Sequence, residues 1–364
     1  MGWDTRENLD SVLQGRGGIA ICNDRSLSPE DLPVALLDWD ELGKRFLGIC
    51  GKENPNHYTR FEKAGILSVY EALKNSSADP ADPECTLILS TTKGNVELLD
   101  HPDGFDKGRL HLWKSAQVIA DFFGIKNTPV VVSNACVSGV AAMLIGRQMI
   151  SSGPCKYAIV LGVDLLSRFI VSGFQSFLSL SKQACRPFDS ERDGLSLGEA
   201  AACVILSRLS GGVELLSGSN SNDANHISGP SRTGEGLLLA IRSTLGGQEI
   251  PKLISAHGTA TPYNDEMESI AINRAGLSEV PLNSLKGYFG HTLGAAGIVE
   301  SIINLEAMKQ GLFPATRGFS TLGVSRKINV SNETRTGNPD TLLKIASGFG
   351  GCNAAALFKL LPWS

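Results

Sequence analysis

Short apolar, β-rich runs alternate along this chain with longer segments of helical spacing. In the first half, GIAIC (18–22), CTLILS (85–90), KYAIVLGVD (156–164) and EAAACVIL (199–206) read as strands, with helices over 60–73 and 112–123. GIAIC is expected to be a short buried strand. The densest apolar stretch is VVVSNACVSGVAAMLIGRQMI (130–150). It predicts a buried strand from Val130, a tight turn carrying Cys136, and a buried helix rich in small residues. After Gly211-Gly212 the order repeats. A helix over 236–245 precedes the strand KLISA, which ends at His257 as CTLILS ended at Thr91. A strand from Leu282 leads into a Gly-Ala-rich helix from Thr292, as the Val130 strand led into the helix after Cys136. A final strand over 341–347 precedes GFGGCNAAALFKLL. Alternating strands and helices predict α/β layers with buried sheets. The repeated order predicts two related halves, 1–210 and 211–364, whose strand ends converge on one site.

With 364 residues, 42% of them hydrophobic, the chain has material for a large core. The net charge of −4 comes from 33 basic and 37 acidic residues and points to neither nucleic acid nor an anionic membrane as the main partner. Cysteines 22, 50, 85, 136, 155, 185, 203 and 352 are scattered, with no C-x-x-C pair and no metal-ligand spacing. Reduced thiols and a cytoplasmic location are expected, with no metal and no bound cofactor. MGWDTRENLD has neither a basic n-region nor an apolar h-region, so no secretory leader is expected, and Arg6 spoils a myristoylation match. No apolar run is expected to reach membrane-spanning length.

Candidate chemistry centres on Cys136. A thiol at the first turn of a helix faces unpaired N–H groups and the positive end of the helix dipole, which favour a thiolate. Ala135, Ser138 and Gly139 leave room for a substrate. Three later motifs join it: HGTATPYNDEME (257–268), KGYFGHTLGAAG (286–297) and GFGGCN (348–353). Together with RPFDSERDGLSLGEAAA (186–202), they make the chain resemble a β-ketoacyl-acyl-carrier-protein synthase. The resemblance is to the Cys-His-His type, KAS I/II, of the thiolase superfamily, and runs from about Thr91 onward.

The resemblance implies a thiolase-like fold, with duplicated α/β halves stacked as α-β-α-β-α layers. It implies an acyltransferase that condenses a cysteine-bound acyl group with malonyl-acyl carrier protein, in fatty-acid or polyketide and polyene elongation. Cys136 would hold the acyl group, because a thiolate is both a good nucleophile and a good leaving group. His257 and His291 would donate hydrogen bonds to the enolate oxygen during decarboxylation. Lys286 would be buried near the site in a polar network with a glutamate, for which Glu268 is the best match. Asp265 would support that network or orient a loop. Phe349 would gate the thiol and, with Cys136, lend a backbone N–H to an oxyanion hole. Arg186 and Asp193 are expected in structural ion pairs. Phosphopantetheine would arrive on an acidic acyl carrier protein, which a local basic patch near the site would receive, with Lys114, Arg168 and Lys182 as possible contributors. A homodimer is expected, or a heterodimer with a homologue. The alternative is a non-catalytic subunit resembling a chain-length factor, against which the retained cysteine and histidines speak. NACVSG and the short region before Cys136 depart from the family pattern.

Overall fold

The computed structural model describes residues 1–209, 212–226 and 229–361. The expected boundary at 210/211 therefore lies outside the described residues. Flanking it, two mixed sheets are built on one plan. In the first, Cys85–Ser90 (β1) pairs in parallel with Val130–Val132 (β2) and Tyr157–Asp164 (β3). Ala200–Ser207 (β4) closes it antiparallel to β3, giving the order β2-β1-β3-β4. The second sheet comprises Val213–Asn222 (β5), Leu253–Ser255 (β6), Pro281–Asn283 (β7), Asn329–Val330 (β8), Thr341–Gly348 (β9) and Cys352–Leu360 (β10). Its order is β8-β7-β6-β9-β10-β5. The run β7-β6-β9-β10 repeats β2-β1-β3-β4, and in both the last pair is antiparallel.

Helices complete five layers. Arg60–Lys74 (α2) and Leu112–Phe122 (α3) cover the outer face of the first sheet. Glu235–Leu245 (α6) lies on the outer face of the second sheet, with Pro262–Arg274 (α7) packed against it. Between the sheets run Ser138–Ser152 (α4) and Ala296–Lys309 (α8), each touching both sheets and the other. Thr5–Leu13 (α1) packs on α8, and Arg168–Ser176 (α5) follows β3. The capping box of α2 shows how local sequence sets a boundary. Glu62 N–H donates to Thr59 Oγ1 at 3.1 Å, and Thr59 N–H donates to Glu62 Oε2 at 2.9 Å. Apolar clusters fill the outer and middle layers, the central one joining Val137, Val140 and Met143 of the α4 segment to Leu342, Ala346 and Ala354 of the second sheet.

Two sequence expectations need correction. Ile19–Cys22 forms a strand, but Ile21 is 61% exposed. It is the edge strand of a small separate sheet, paired with Leu32–Ala35 and completed by Leu197–Gly198, and the consecutive Ala20 and Ile21, which point to opposite faces, are both exposed. The 18-residue stretch Ala135–Ser152 does reach membrane-spanning length and apolarity. It is so apolar because α4 is enclosed between two sheets, with 56% of the stretch buried.

The central helices cross almost backbone to backbone. A Cβ on Gly139 would lie 2.8 Å from the Gly294 carbonyl oxygen and 3.2 Å from the Ile298 nitrogen. Gly139→Val is therefore expected to cost about 2 to 3 kcal/mol through overpacking. Denaturant melts should show a lower midpoint at an unchanged slope. An unchanged midpoint would mean that the helix heads can separate freely.

Candidate active site

The turn after β2 places Cys136 just before α4, with Ala135 held at φ +44°, a left-handed conformation unusual for a residue with a Cβ. Ser138 fastens the turn: its Oγ donates to the Ala135 carbonyl at 2.6 Å and accepts from Asn134 N–H at 2.7 Å. From the other half, His257 follows β6, and His291 lies between β7 and α8. The Cys136 Sγ and a ring nitrogen of each histidine all lie within 4.8 Å of one another. The two rings meet edge to face, with centroids 5.1 Å apart. All three residues are buried. Leu293 N–H donates to His291 Nδ1 at 3.3 Å, so in the neutral ring the proton sits on Nε2.

Behind the histidines, Lys286 donates to the His257 carbonyl at 2.6 Å and to Glu300 Oε1 at 2.7 Å. Its partner is thus Glu300, not Glu268. The α7 helix instead turns Glu268 back onto the loop after β6. There its carboxylate accepts from His257 N–H at 2.7 Å, Gly258 N–H at 2.6 Å and Asn264 Nδ2 at 2.8 Å. Burial, then the like charge of Asp265, pushes the Glu268 carboxyl up to about 7 against the pull of those N–H groups. Asp265 orients a loop, accepting from Phe188 N–H at 2.7 Å and Ala260 N–H at 3.2 Å, and burial lifts it to about 6.

The structure brings in residues that the sequence reading passed over. Glu300 accepts from Lys286 and also from the buried Lys344 of β9. At the end of β3, Asp164 accepts from Gly294 N–H at 2.7 Å, Thr91 Oγ1 at 2.8 Å and Thr92 N–H at 3.0 Å. It thereby ties the His291 segment to the opposite half. Phe349 is half-buried, its ring 5.6 Å from Phe174 and 5.2 Å from Phe177. Gly348, just before it, comes so close to the thiol turn that a Cβ there would lie 3.1 Å from the Cys136 nitrogen. Arg186 pairs with Glu191 and Asp189, as a structural residue would. Asp193 is in no recorded ion pair among the described residues and accepts from Ser181 Oγ at 2.5 Å. Lys114 is half-exposed, and Arg168 and Lys182 are exposed.

Electrostatics correct one expectation. Burial pushes the Cys136 thiol up to about 12, with Lys286 pulling the other way, so burial opposes the thiolate that the helix terminus favours. Both imidazoles sit well below their usual range. Burial is the main cause, followed by the Lys286 ammonium, with Lys344 contributing to both. The result is a thiol beside two neutral rings. A thiol and two imidazoles are also a zinc-type donor set. The excess of lysine charge behind them opposes a cation and favours an oxyanion.

Comparison with known proteins follows this geometry. Residues 36–211 match the N-terminal domain of the β-ketoacyl synthase family and residues 213–320 its C-terminal domain. A provisionally named mitochondrial 3-oxoacyl-[acyl-carrier-protein] synthase of Schizosaccharomyces pombe is 30% identical over 99% of this chain and 96% of its own. The ketoacyl synthase alpha subunit of the tetracenomycin polyketide synthase of Streptomyces glaucescens is 28% identical, over 88% of this chain and 85% of its own. Among solved structures, the ketosynthase ApeO of Xenorhabdus doucetiae, in complex with its chain length factor ApeC, superimposes with a TM-score of 0.88. It is 24% identical and covers 99% of this chain and 95% of its own, a likeness of fold. Sequence, fold and family models agree: the chain belongs to the β-ketoacyl synthase family and is an acyltransferase of the 3-oxoacyl-[acyl-carrier-protein] synthase class.

Proposed function

We propose that Cys136 carries the growing acyl chain and that His257 and His291 stabilise the enolate that extends it. The observation that carries this reading is the convergence of one thiol and two neutral imidazoles at the meeting point of both halves. In the first step an acyl thioester, delivered on the phosphopantetheine arm of an acyl carrier protein, is attacked by Cys136 Sγ. The thiol proton is released to solvent as the new S–C bond forms, and both rings stay neutral. The carrier sulfur leaves and takes a proton back from solvent. The N–H groups of Cys136 and Phe349 stabilise the tetrahedral oxyanion, and Gly348 permits their close approach.

In the second step malonyl-acyl carrier protein occupies the same site. Its C–CO2 bond breaks, CO2 leaves, and the electron pair becomes an enolate held by imidazole N–H donors. The enolate carbon attacks the acyl carbonyl. The bond to Cys136 then breaks, and the released thiolate takes one proton from solvent. Lys286 holds the His257 carbonyl and acts as a positioning residue, with Glu268 and Asp265 shaping the surrounding turns. Phe349 gates the pocket against Phe174 and Phe177. The chemistry draws on no metal or resident cofactor.

The acyl carrier protein is assigned from the name of the yeast relative. A second copy of this chain is the proposed partner, in a homodimer. The chain length factor beside the Xenorhabdus ketosynthase makes a homologous subunit the other reading. Eight free cysteines suit a reducing, cytoplasmic setting. Sedimentation of the purified chain should give twice the 38.6 kDa subunit mass, whereas a monomer that dimerises only with a homologue would favour the heterodimer.

Intact-mass analysis tests the nucleophile. The wild type should gain one acyl group from acyl-carrier proteins and release ketoacyl product when malonyl carrier is added, while Cys136→Ala should gain none. A Cys136→Ala protein that still acylates would move the nucleophile elsewhere. His291→Ala should still acylate but condense at least about 100-fold more slowly. Equal loss of both half-reactions would remove its assigned step. The pH response follows from the imidazoles, whose folded values lie below the ordinary 6.5. They remain neutral as pH falls past 6.5, so single-turnover condensation should hold to about pH 6 and fall only as pH drops through the depressed values. An acid limb centred at 6.5 or above would contradict this.

A further inference from the structure

Lys344 is an anomaly of composition. It lies within the strand TLLKIASG, flanked by buried Leu342, Leu343, Ile345 and Ala346, and is itself 0% exposed. Buried lysines are rare unless paired, and this one has an arrangement with consequences. In register with Ser255, it donates to the Ala256 carbonyl at 3.0 Å, to Ser255 Oγ at 3.3 Å and to the Glu300 carboxylate. It also donates to the Ser255 carbonyl at 3.4 Å, and the two carbonyls and the carboxylate only accept, so three N–H donors are in use, as the protonated amine supplies. Ser255 and Ala256 are the last two residues before His257. Glu300 is the same carboxylate that Lys286 engages from its other oxygen. Two buried positive charges therefore face one buried negative charge.

We propose that Lys344 is a second positioning residue of the condensing site, fixing the strand end that carries His257 and, with Lys286, keeping both imidazoles as neutral N–H donors. The inference rests on the condensing role proposed for the two histidines and extends it to their rear wall. The rings face each other and Cys136 and feel the charges of Lys286 and of Lys344 of β9, while Glu300 of α8 pairs with both lysines and Glu268 of α7 and Asp164 hold backbone N–H groups beside the histidines. Lys344 depresses both imidazoles, and its own ammonium is disfavoured by burial and upheld by Glu300. Removing it cancels the excess positive charge, so protonation of the rings becomes easier and their titration moves to higher pH.

The test is NMR titration of 13C-labelled histidines in the full chain, with signals assigned through His257→Gln and His291→Gln. Lys344→Met should raise both values by about one pH unit and carry the acid limb of condensation upward with them. Under these conditions KM for the carrier substrates should stay within about twofold, the loss falling on kcat. Adding Glu300→Gln to Lys344→Met again leaves one uncompensated positive charge, and the titration should return toward wild type. If Lys344→Met alone does not fold, Glu300→Gln should move the histidines further down and the double variant should bring them back. Histidines that ignore these charge changes, with only melting temperature affected, would overturn the proposal. The titration needs no turnover, so it stands apart from the condensing assay: a wild type that never condenses sinks the proposed function instead.

Discussion

The near contact of the two central helices is the constraint from which the rest of the structure follows. Gly139 on α4 faces Gly294 and Ile298, while a Cβ on Gly297 would lie 2.8 Å from the Val140 nitrogen. With no side chains to hold the backbones apart, the heads of α4 and α8 abut between the sheets. The turn before α4 carries Cys136, and the segment before α8 carries His291. Helix contact and site assembly are thus one event. Asp164 fastens it, accepting hydrogen bonds from both sides of the junction, and Ser90 Oγ adds a bond to the Gly294 carbonyl at 2.8 Å. A site made this way is held by core packing rather than by a mobile loop, which suits catalysis that depends on preorganised donors.

The same burial explains a charge pattern that stability alone would disfavour. Moving Lys286, Lys344 and Glu300 out of water costs several kcal/mol per ion, and apolar side chains of similar volume would do as well or better for the fold. What the trio supplies is field. It sits behind the imidazoles, where it opposes their protonation and favours negative charge on the pocket side. The thiol shows the limit of simpler reasoning. A helix N-terminus favours a thiolate, whereas burial pushes the Cys136 thiol up to about 12.

Much of this was legible in the sequence, and the parts that were not have physical reasons. The strand, turn and helix around Cys136 followed from β-branched residues giving way to small ones, and the repeated element order foreshadowed matching strand orders in the two sheets. The histidines were legible because their motifs surround them with turn-forming residues. Charge partnerships were harder. Glu268 lies closer in sequence to His257 than Glu300 does and was matched to Lys286. Helix direction decides otherwise, pointing Glu268 at backbone N–H groups and Glu300 at the ammonium. Glu300 sits in a Gly-Ala-rich helix where one acid passes as a polar position. Lys344 carried a usable signal, a charge at the centre of an apolar strand, but no local pattern gives its partner 44 residues away.

The duplication also accounts for how the chemistry is divided. The ends of β1 and β6 match, as do those of β2 and β7: Ser90 pairs with Val132 as Ser255 pairs with Asn283, so Thr92 corresponds to His257 and the Cys136 turn to the His291 segment. The thiol comes from one half and the two imidazoles from the other. Neither half holds both, so the site exists only where the central helices cross. Thr92, the counterpart of His257, donates its N–H to Asp164, and Asp164 in turn fixes the segment that carries His291. The strand end without an imidazole thus serves as the clamp for a segment that has one. Divergence within a repeated plan explains why one buried junction is both a close packing contact between the halves and the place where thiol and imidazoles meet.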